Sequence, residues 1–259
     1  MACKQILGVQ KQTTNVGVLL ELGRIPLQNF ATKAAIKNWE RIKSGKINPI
    51  LLSSHNDAVT DELPWITNVK CTLQSYNLEN IPEAQIRRTK YPYIHNILHK
   101  KQCEKFHEDT FQAIAHPDSK LRTYALIETG IGCEKYLEEI KNIATRQAVT
   151  KFRLSNSLLN IEKLRHTTPK TPKEERFCPF CPTVVEDEVH FLIDCPIYAY
   201  PRDEMIKSIL YKTPLFNLKS PKQKFLHLMA PENAQSVAKS IHNFFEIRNF
   251  LIDKPRRPT

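Results

Sequence analysis

Glycine is scarce in this chain, with six residues in 259. So few positions free to take φ > 0 disfavour tight β-hairpins. Neither G-x-G-x-x-G nor G-x-x-x-x-G-K-[ST] occurs, which argues against the Gly-rich phosphate loops of nucleotide-binding folds. No apolar run reaches the roughly 18 residues of a membrane span, so no membrane partner is expected. Met1-Ala-Cys-Lys-Gln lacks the long apolar core of a secretory signal. Two adjacent aspartates occur nowhere.

Proline is plentiful by contrast, with 17 residues spread along the chain as helix punctuation. Alternating strand patterns are nearly absent, and apolar residues recur at helical spacing. The expected fold is mainly α: a helical bundle or helical array with a small zinc knuckle near the C-terminus. Helices are expected at Val16–Leu22, Leu27–Ile42, Ile50–Val59, Trp65–Leu78, Leu121–Ile127, Ile197–Leu210, Pro221–Met229 and Ala234–Ile252. A long basic helix is expected from Pro82 to about Ala115, kinked or divided at Pro92. Two more fall between Leu137 and Leu164. The polar stretch Thr167–Glu175 reads as a linker, and Thr183–Val185 as half of a small hairpin with Phe177. These features divide the chain into an N-terminal helical segment (1–80), a basic helical domain (81–166), a linker with the knuckle (167–200), and C-terminal helices with a basic tail (201–259).

Four metal-ligand residues crowd one short stretch: Cys178-Pro-Phe-Cys181, His190 and Cys195. Three thiolates and one imidazole make a closed tetrahedral zinc site. The two-residue gap lets both sulfurs of a tight knuckle reach one ion, and His190 and Cys195 return to it from the far side of a loop. A thioredoxin-like redox pair would want a strand before Cys178, yet Thr171–Arg176 is polar. Two disulfides of a secreted protein fit poorly with seven cysteines, four of them scattered (Cys3, Cys71, Cys103, Cys133). Structural Zn²⁺ and a reducing, intracellular location (nuclear or cytoplasmic) are expected. A second series, His95, His99, Cys103 and His107, steps by four. Such steps drift about 40° each around a helix, so the four do not face one ion and read as a face packed on the core.

The formal net charge is +11, which points to a polyanionic partner. From Lys141 to Arg176 nine Lys/Arg stand against three acids, a surplus of six. Within this stretch Arg146, Lys151, Arg153, Lys163, Arg165 and Arg176 are the candidate phosphate contacts to RNA or DNA. Phe177, Phe180 and Phe191 are aromatic candidates for base stacking, with core packing the preferred reading. The knuckle also contains Glu186, Asp187, Glu188 and Asp194, carboxylates that would disfavour phosphates there.

The run Arg146-Gln-Ala-Val-Thr-Lys-Phe-Arg-Leu-Ser-Asn156, the stretch Ile161–His166, then Arg176-Phe-Cys-Pro-Phe-Cys181 and Glu186-Asp-Glu-Val-His-Phe-Leu-Ile-Asp-Cys-Pro-Ile-Tyr198 together resemble the C-terminal, post-polymerase segment of LINE-type (non-LTR) retrotransposon reverse transcriptases. Leu7–Pro26 is similar to the region just after the thumb of those enzymes. The resemblance implies a zinc-dependent nucleic-acid-binding module. The missing aspartate pair implies that the polymerase centre is not in this chain. No endonuclease constellation is evident either, so no enzymatic activity of its own is expected. The chain would then be a truncated element copy or a stand-alone descendant. A zinc-stapled helical scaffold for protein interaction is the alternative.

Overall fold

The computed structural model describes residues 2–44, 47–79, 94–116, 119–127, 132–210, 213 and 215–253. The expected kink at Pro92 and the basic tail Lys254–Arg257 lie outside them. The fold is mainly helical, and the described residues hold no strand, only isolated antiparallel bridges, Leu22 with Cys133 and Phe177 with Val185. Among them no helix is long and apolar enough to cross a membrane.

The helices are α1 (Ala2–Leu7), α2 (Asn15–Glu21), α3 (Leu27–Lys43), α4 (Pro49–Thr60), α5 (Pro64–Ser75), α6 (Ile94–Ala115), α7 (Arg122–Leu126), α8 (Tyr136–Glu139), α9 (Ile143–Arg153), α10 (Asn160–Lys163), α11 (Ala199–Leu210), α12 (Pro221–Leu228) and α13 (Ala234–Asp253). Side-chain caps and prolines set their starts. Asn48 accepts from Ile50 N at 2.8 Å before Pro49, Asn142 accepts from Thr145 N at 2.9 Å, and Ser220 with Gln223 forms a capping box around Pro221. The region from Leu137 to Leu164 breaks at Ser155, whose φ is 48°.

Two compact units result, one of Met1–Arg24 with Ile114–Thr259, the other of Ile25–Ala113. They cut across the four consecutive segments expected from the sequence. The reason is apolar: Leu7 of α1 and Val18 of α2 are buried with Leu121, Tyr124 and Leu154, so residues 1–24 pack with the C-terminal half. Gly17 marks that contact, since a Cβ there would stand 2.7 Å from Leu121 Cδ2 and 2.8 Å from Leu154 Cδ2.

In the second unit, α3, α5 and α6 bury Ile36, Val69, Leu73, Ile94 and Leu98. The His/Cys series lies along α6. There His95 bonds Glu40 through its backbone N–H (3.3 Å) and its Nδ1, and His99 packs its ring 5.4 Å from Phe30. The four residues form no ligand cluster.

The main core of the first unit is aromatic. Phe152 of α9, Phe191, Tyr198, Phe225 of α12 and Phe244 of α13 are fully buried. Phe191 stacks on Phe245 at 4.7 Å, and Tyr198 on Phe244 at 5.0 Å. The Cys/His segment therefore supplies part of this core. Of the three aromatic candidates, Phe191 is buried, Phe180 is half-buried against the core, and Phe177 is exposed.

Candidate metal centre

Two local devices build the centre. The first is a narrow loop closed by the Phe177–Val185 bridge. Glu186 N donates to Arg176 O at 2.9 Å and Cys178 N to Val184 O at 2.8 Å; inside the loop, Cys181 N returns to Cys178 O at 3.2 Å. Pro179 and Pro182 restrict φ on either side of that turn. Together these contacts turn Cys178 and Cys181 to the same side.

The second device is a π-helical turn over His190–Asp194. Asp187 starts it, accepting from His190 N through Oδ1 at 2.8 Å and from Phe191 N through its carbonyl at 3.0 Å. Five residues along an α-helix would leave His190 and Cys195 about 140° apart. The π turn closes that gap, with Cys195 N donating to His190 O at 2.8 Å. Arg202 of α11 holds the end of the turn by donating to Leu192 O at 3.0 Å and to Cys195 O.

All four sequence-predicted ligands meet. One donor atom from each of Cys178, Cys181, His190 and Cys195 lies within 4.8 Å of every other, and no second such group occurs among the described residues. Cys195 Sγ is 3.9 Å from both Cys178 Sγ and Cys181 Sγ. Cys178, His190 and Cys195 are buried, and Cys181 is half-buried. His190 Nε2 is buried with no hydrogen-bond partner, a costly state for a ring nitrogen unless something binds it.

Crowding splits the acidities of the sulfurs. Hydrogen bonding with Cys195 pulls the Cys178 thiol down to about 4, while the contact with Cys178 and burial push Cys195 up. Burial, then the charge on Cys178, push Cys181 up. The protein alone thus favours one thiolate. A central dication would hold all three as thiolates. The donor set, the spacing and the orphaned imidazole nitrogen all fit a bound metal ion.

Of the four acids beside the ligands, Glu186 and Glu188 face inward, whereas Asp187 is half-buried and Asp194 exposed. Glu186 is buried and takes a bidentate pair from Arg248 of α13, at 2.8 Å on each oxygen. It also accepts from Asn160 N at 2.6 Å, at the start of α10. Buried Glu188 accepts from Arg122 Nη2 at 2.8 Å, and Arg122 Nη1 also reaches Glu162 at 2.5 Å. The expectation that these glutamates would repel phosphates is therefore corrected: both charges are neutralised internally. Arg122, Arg202 and Arg248 were not among the residues expected from sequence. For Arg248 a signal existed, because it continues the buried stripe of Ile241 and Phe244 at helical spacing.

The six basic candidates divide. Arg153 is buried, with Nε 2.8 Å from Glu21, Nη2 2.9 Å from Glu134, and its guanidinium 5.3 Å from the ring centres of both Tyr124 and Tyr136. Arg176 is buried and donates to Ile161 O (2.8 Å) and Thr171 O (2.9 Å). As a phosphate contact on an open surface Arg153 is corrected, since it is buried and its two carboxylate partners neutralise it; Arg176 is buried too, but the partners that hold it are neutral carbonyls. Arg146 is half-buried and holds the carbonyls of Leu137 and Ile140 at the end of α8, both at 3.3 Å. Arg165 is half-buried and pairs with Glu162 at 3.2 Å. Lys151 is half-buried and Lys163 exposed.

The chain matches no protein-family model, no curated protein and no solved structure.

Proposed function

We propose that this chain is a zinc-organised nucleic-acid-binding module, of the kind found in the C-terminal segment of LINE-type retrotransposon reverse transcriptases, with no polymerase or endonuclease activity of its own. The observation that carries the reading is the convergence of Cys178, Cys181, His190 and Cys195 on one point. Zinc is favoured among metals by soft thiolate ligands with one imidazole. Around a zinc ion with bonds of about 2.3 Å, tetrahedral sulfurs stand about 3.8 Å apart, close to the 3.9 Å separations of this centre. Four protein ligands leave no open position for a reacting water, so the ion's contribution is structural. The four side chains bind it, and Asp187 and Arg202 orient the turn that carries two of them.

A nucleic-acid partner is supported by the charge of +11 and by the inward pairing of Glu186 and Glu188. Lys163 and Lys151 are the expected sequence-independent phosphate contacts, with Arg165 braced beside them. An intracellular location, nuclear or cytoplasmic, goes with seven free thiols. The scaffold reading draws on Arg153, whose charge serves the fold.

The test is filter binding of the zinc-loaded chain to single-stranded RNA and to duplex DNA at two salt concentrations. Binding that weakens with salt and with Lys163→Glu is expected. Absence of binding at low salt would favour the scaffold.

A further inference from the structure

Among the described residues, seven line a small cleft of about 60 Å³, and five of these are cations: Arg122, Arg165, Lys170, Lys173 and Arg176. The other two, Ser119 and Ile161, are uncharged, and among the described residues no carboxylate lines the cleft. Three separate segments contribute, the start of α7, the end of α10 with the turn after it, and the stretch leading into Cys178.

The cations are held in different ways. Arg122 is fixed from behind by Glu162 and Glu188, and Arg165 is braced by Glu162 at 3.2 Å. Arg176 is fixed by the neutral carbonyls of Ile161 and Thr171, so its hydrogen bonds orient it without neutralising it. Burial, and then the charge of Arg165, depress its pKa, with Arg122 adding to the effect and Glu162 and Glu174 opposing it. Lys170 and Lys173 are exposed on the polar linker. Planar guanidinium groups with set directions, joined by flexible ammonium groups, match a tetrahedral anion with several acceptor oxygens. The volume is enough for a few waters or one phosphate group.

We propose that this cleft binds a phosphate group, and that the phosphodiester backbone of a nucleic acid supplies it; the second part rests on the function proposed above. The linker, read from sequence as a spacer, then serves as part of the binding surface. Because only the backbone enters, the contact carries no sequence preference.

The test uses the full zinc-loaded chain and two probes, a short labelled single-stranded RNA followed by anisotropy across a range of salt, and inorganic phosphate followed by ³¹P line broadening. The variant is Lys170→Gln with Lys173→Gln, both exposed and outside any packed contact. The control is Lys222→Gln with Lys239→Gln, exposed lysines on α12 and α13. The slope of log affinity against log salt should flatten by about one in the variant, for the one phosphate group the cleft admits, and stay unchanged in the control. Phosphate broadening should fall in the variant alone. RNA binding with wild-type slope in the variant would overturn the cleft and leave the proposed function standing. Phosphate binding lost in the variant, with no RNA bound by the wild type, would uphold the cleft and remove nucleic acid as its source. Neither probe responding to the variant overturns the proposal.

Discussion

Glu186 and Arg248 face each other as a bidentate pair, 2.8 Å on each oxygen, both nearly inaccessible to solvent. Glu186 lies four residues before His190 and closes the hairpin that carries Cys178. Arg248 lies on the C-terminal helix. The pair ties the metal loop to α13, while Phe191 and Tyr198 pack on Phe244 of the same helix. The centre is therefore coupled to the main core by both charge and packing.

Removing one partner strands the other. Arg248→Ala should destabilise the first unit by about 3–5 kcal/mol, the usual cost of an uncompensated buried charge. Replacing both with a well-packed apolar pair should cost less. Denaturant melts of Arg248→Ala and of Glu186→Leu with Arg248→Met check this, and equal losses would show that packing alone matters.

Metal removal should reach well beyond the loop. Cys195 and Phe191 are buried in the main core, so a strong chelator should abolish the near-UV circular dichroism of the aromatic cluster and lower the melting temperature. Phe191→Ala should cost about 3–5 kcal/mol and also weaken metal retention. A chelated chain with unchanged aromatic dichroism would contradict this coupling.

Arg153 and Lys163 should separate structure from binding. Arg153→Ala leaves Glu21 and Glu134 without their cation and should cost about 3–5 kcal/mol. Lys163→Gln, at an exposed site, should leave the melt within about 0.5 kcal/mol while weakening RNA binding. The reverse pattern would restore Arg153 to the binding surface.

Glu21 gives the fold a pH signature. Burial raises its pKa from 4.5 to about 6, against the opposing effect of Arg153 and Tyr136. A carboxyl with a raised folded-state pKa binds its proton more tightly folded than unfolded. Its contribution therefore favours folding below about 4.5 and is lost as pH rises through about 6, a change of about 2 kcal/mol. Metal ligands titrate as well, so the readout is the difference between wild type and Glu21→Gln. That difference should move against the wild type by about 1.5 kcal/mol from pH 4.5 to 6.5; a flat difference contradicts it.

The ligand quartet was legible in the sequence because cysteine and histidine at such spacing have few other uses. The helices were legible because apolar periodicity and caps such as Asn48 and Ser220 are local signals. The π turn was not: a five-residue step from His190 to Cys195 looks merely helical, and only the backbone bond from Cys195 to His190 reveals how the two converge. Charge misled in two directions. Arg153 and Arg176 counted as surface cations, and Glu186 and Glu188 as surface anions, because composition carries no information on burial. The spacing held part of the answer, since Arg153 sits four residues after Val149 and beside Phe152, both buried. The grouping of residues 1–24 with 114–259 was hidden because it depends on residues far apart in sequence, such as Val18 and Leu154, being buried in one cluster.

If a zinc ion organises this chain, elemental analysis of the purified protein will find it. One zinc per chain is expected in the wild type, lost in Cys178→Ser and in His190→Ala and retained in Cys71→Ser, which changes an exposed cysteine outside the centre. Zinc well below one per chain in the wild type, or zinc that survives Cys178→Ser, would contradict that organising role.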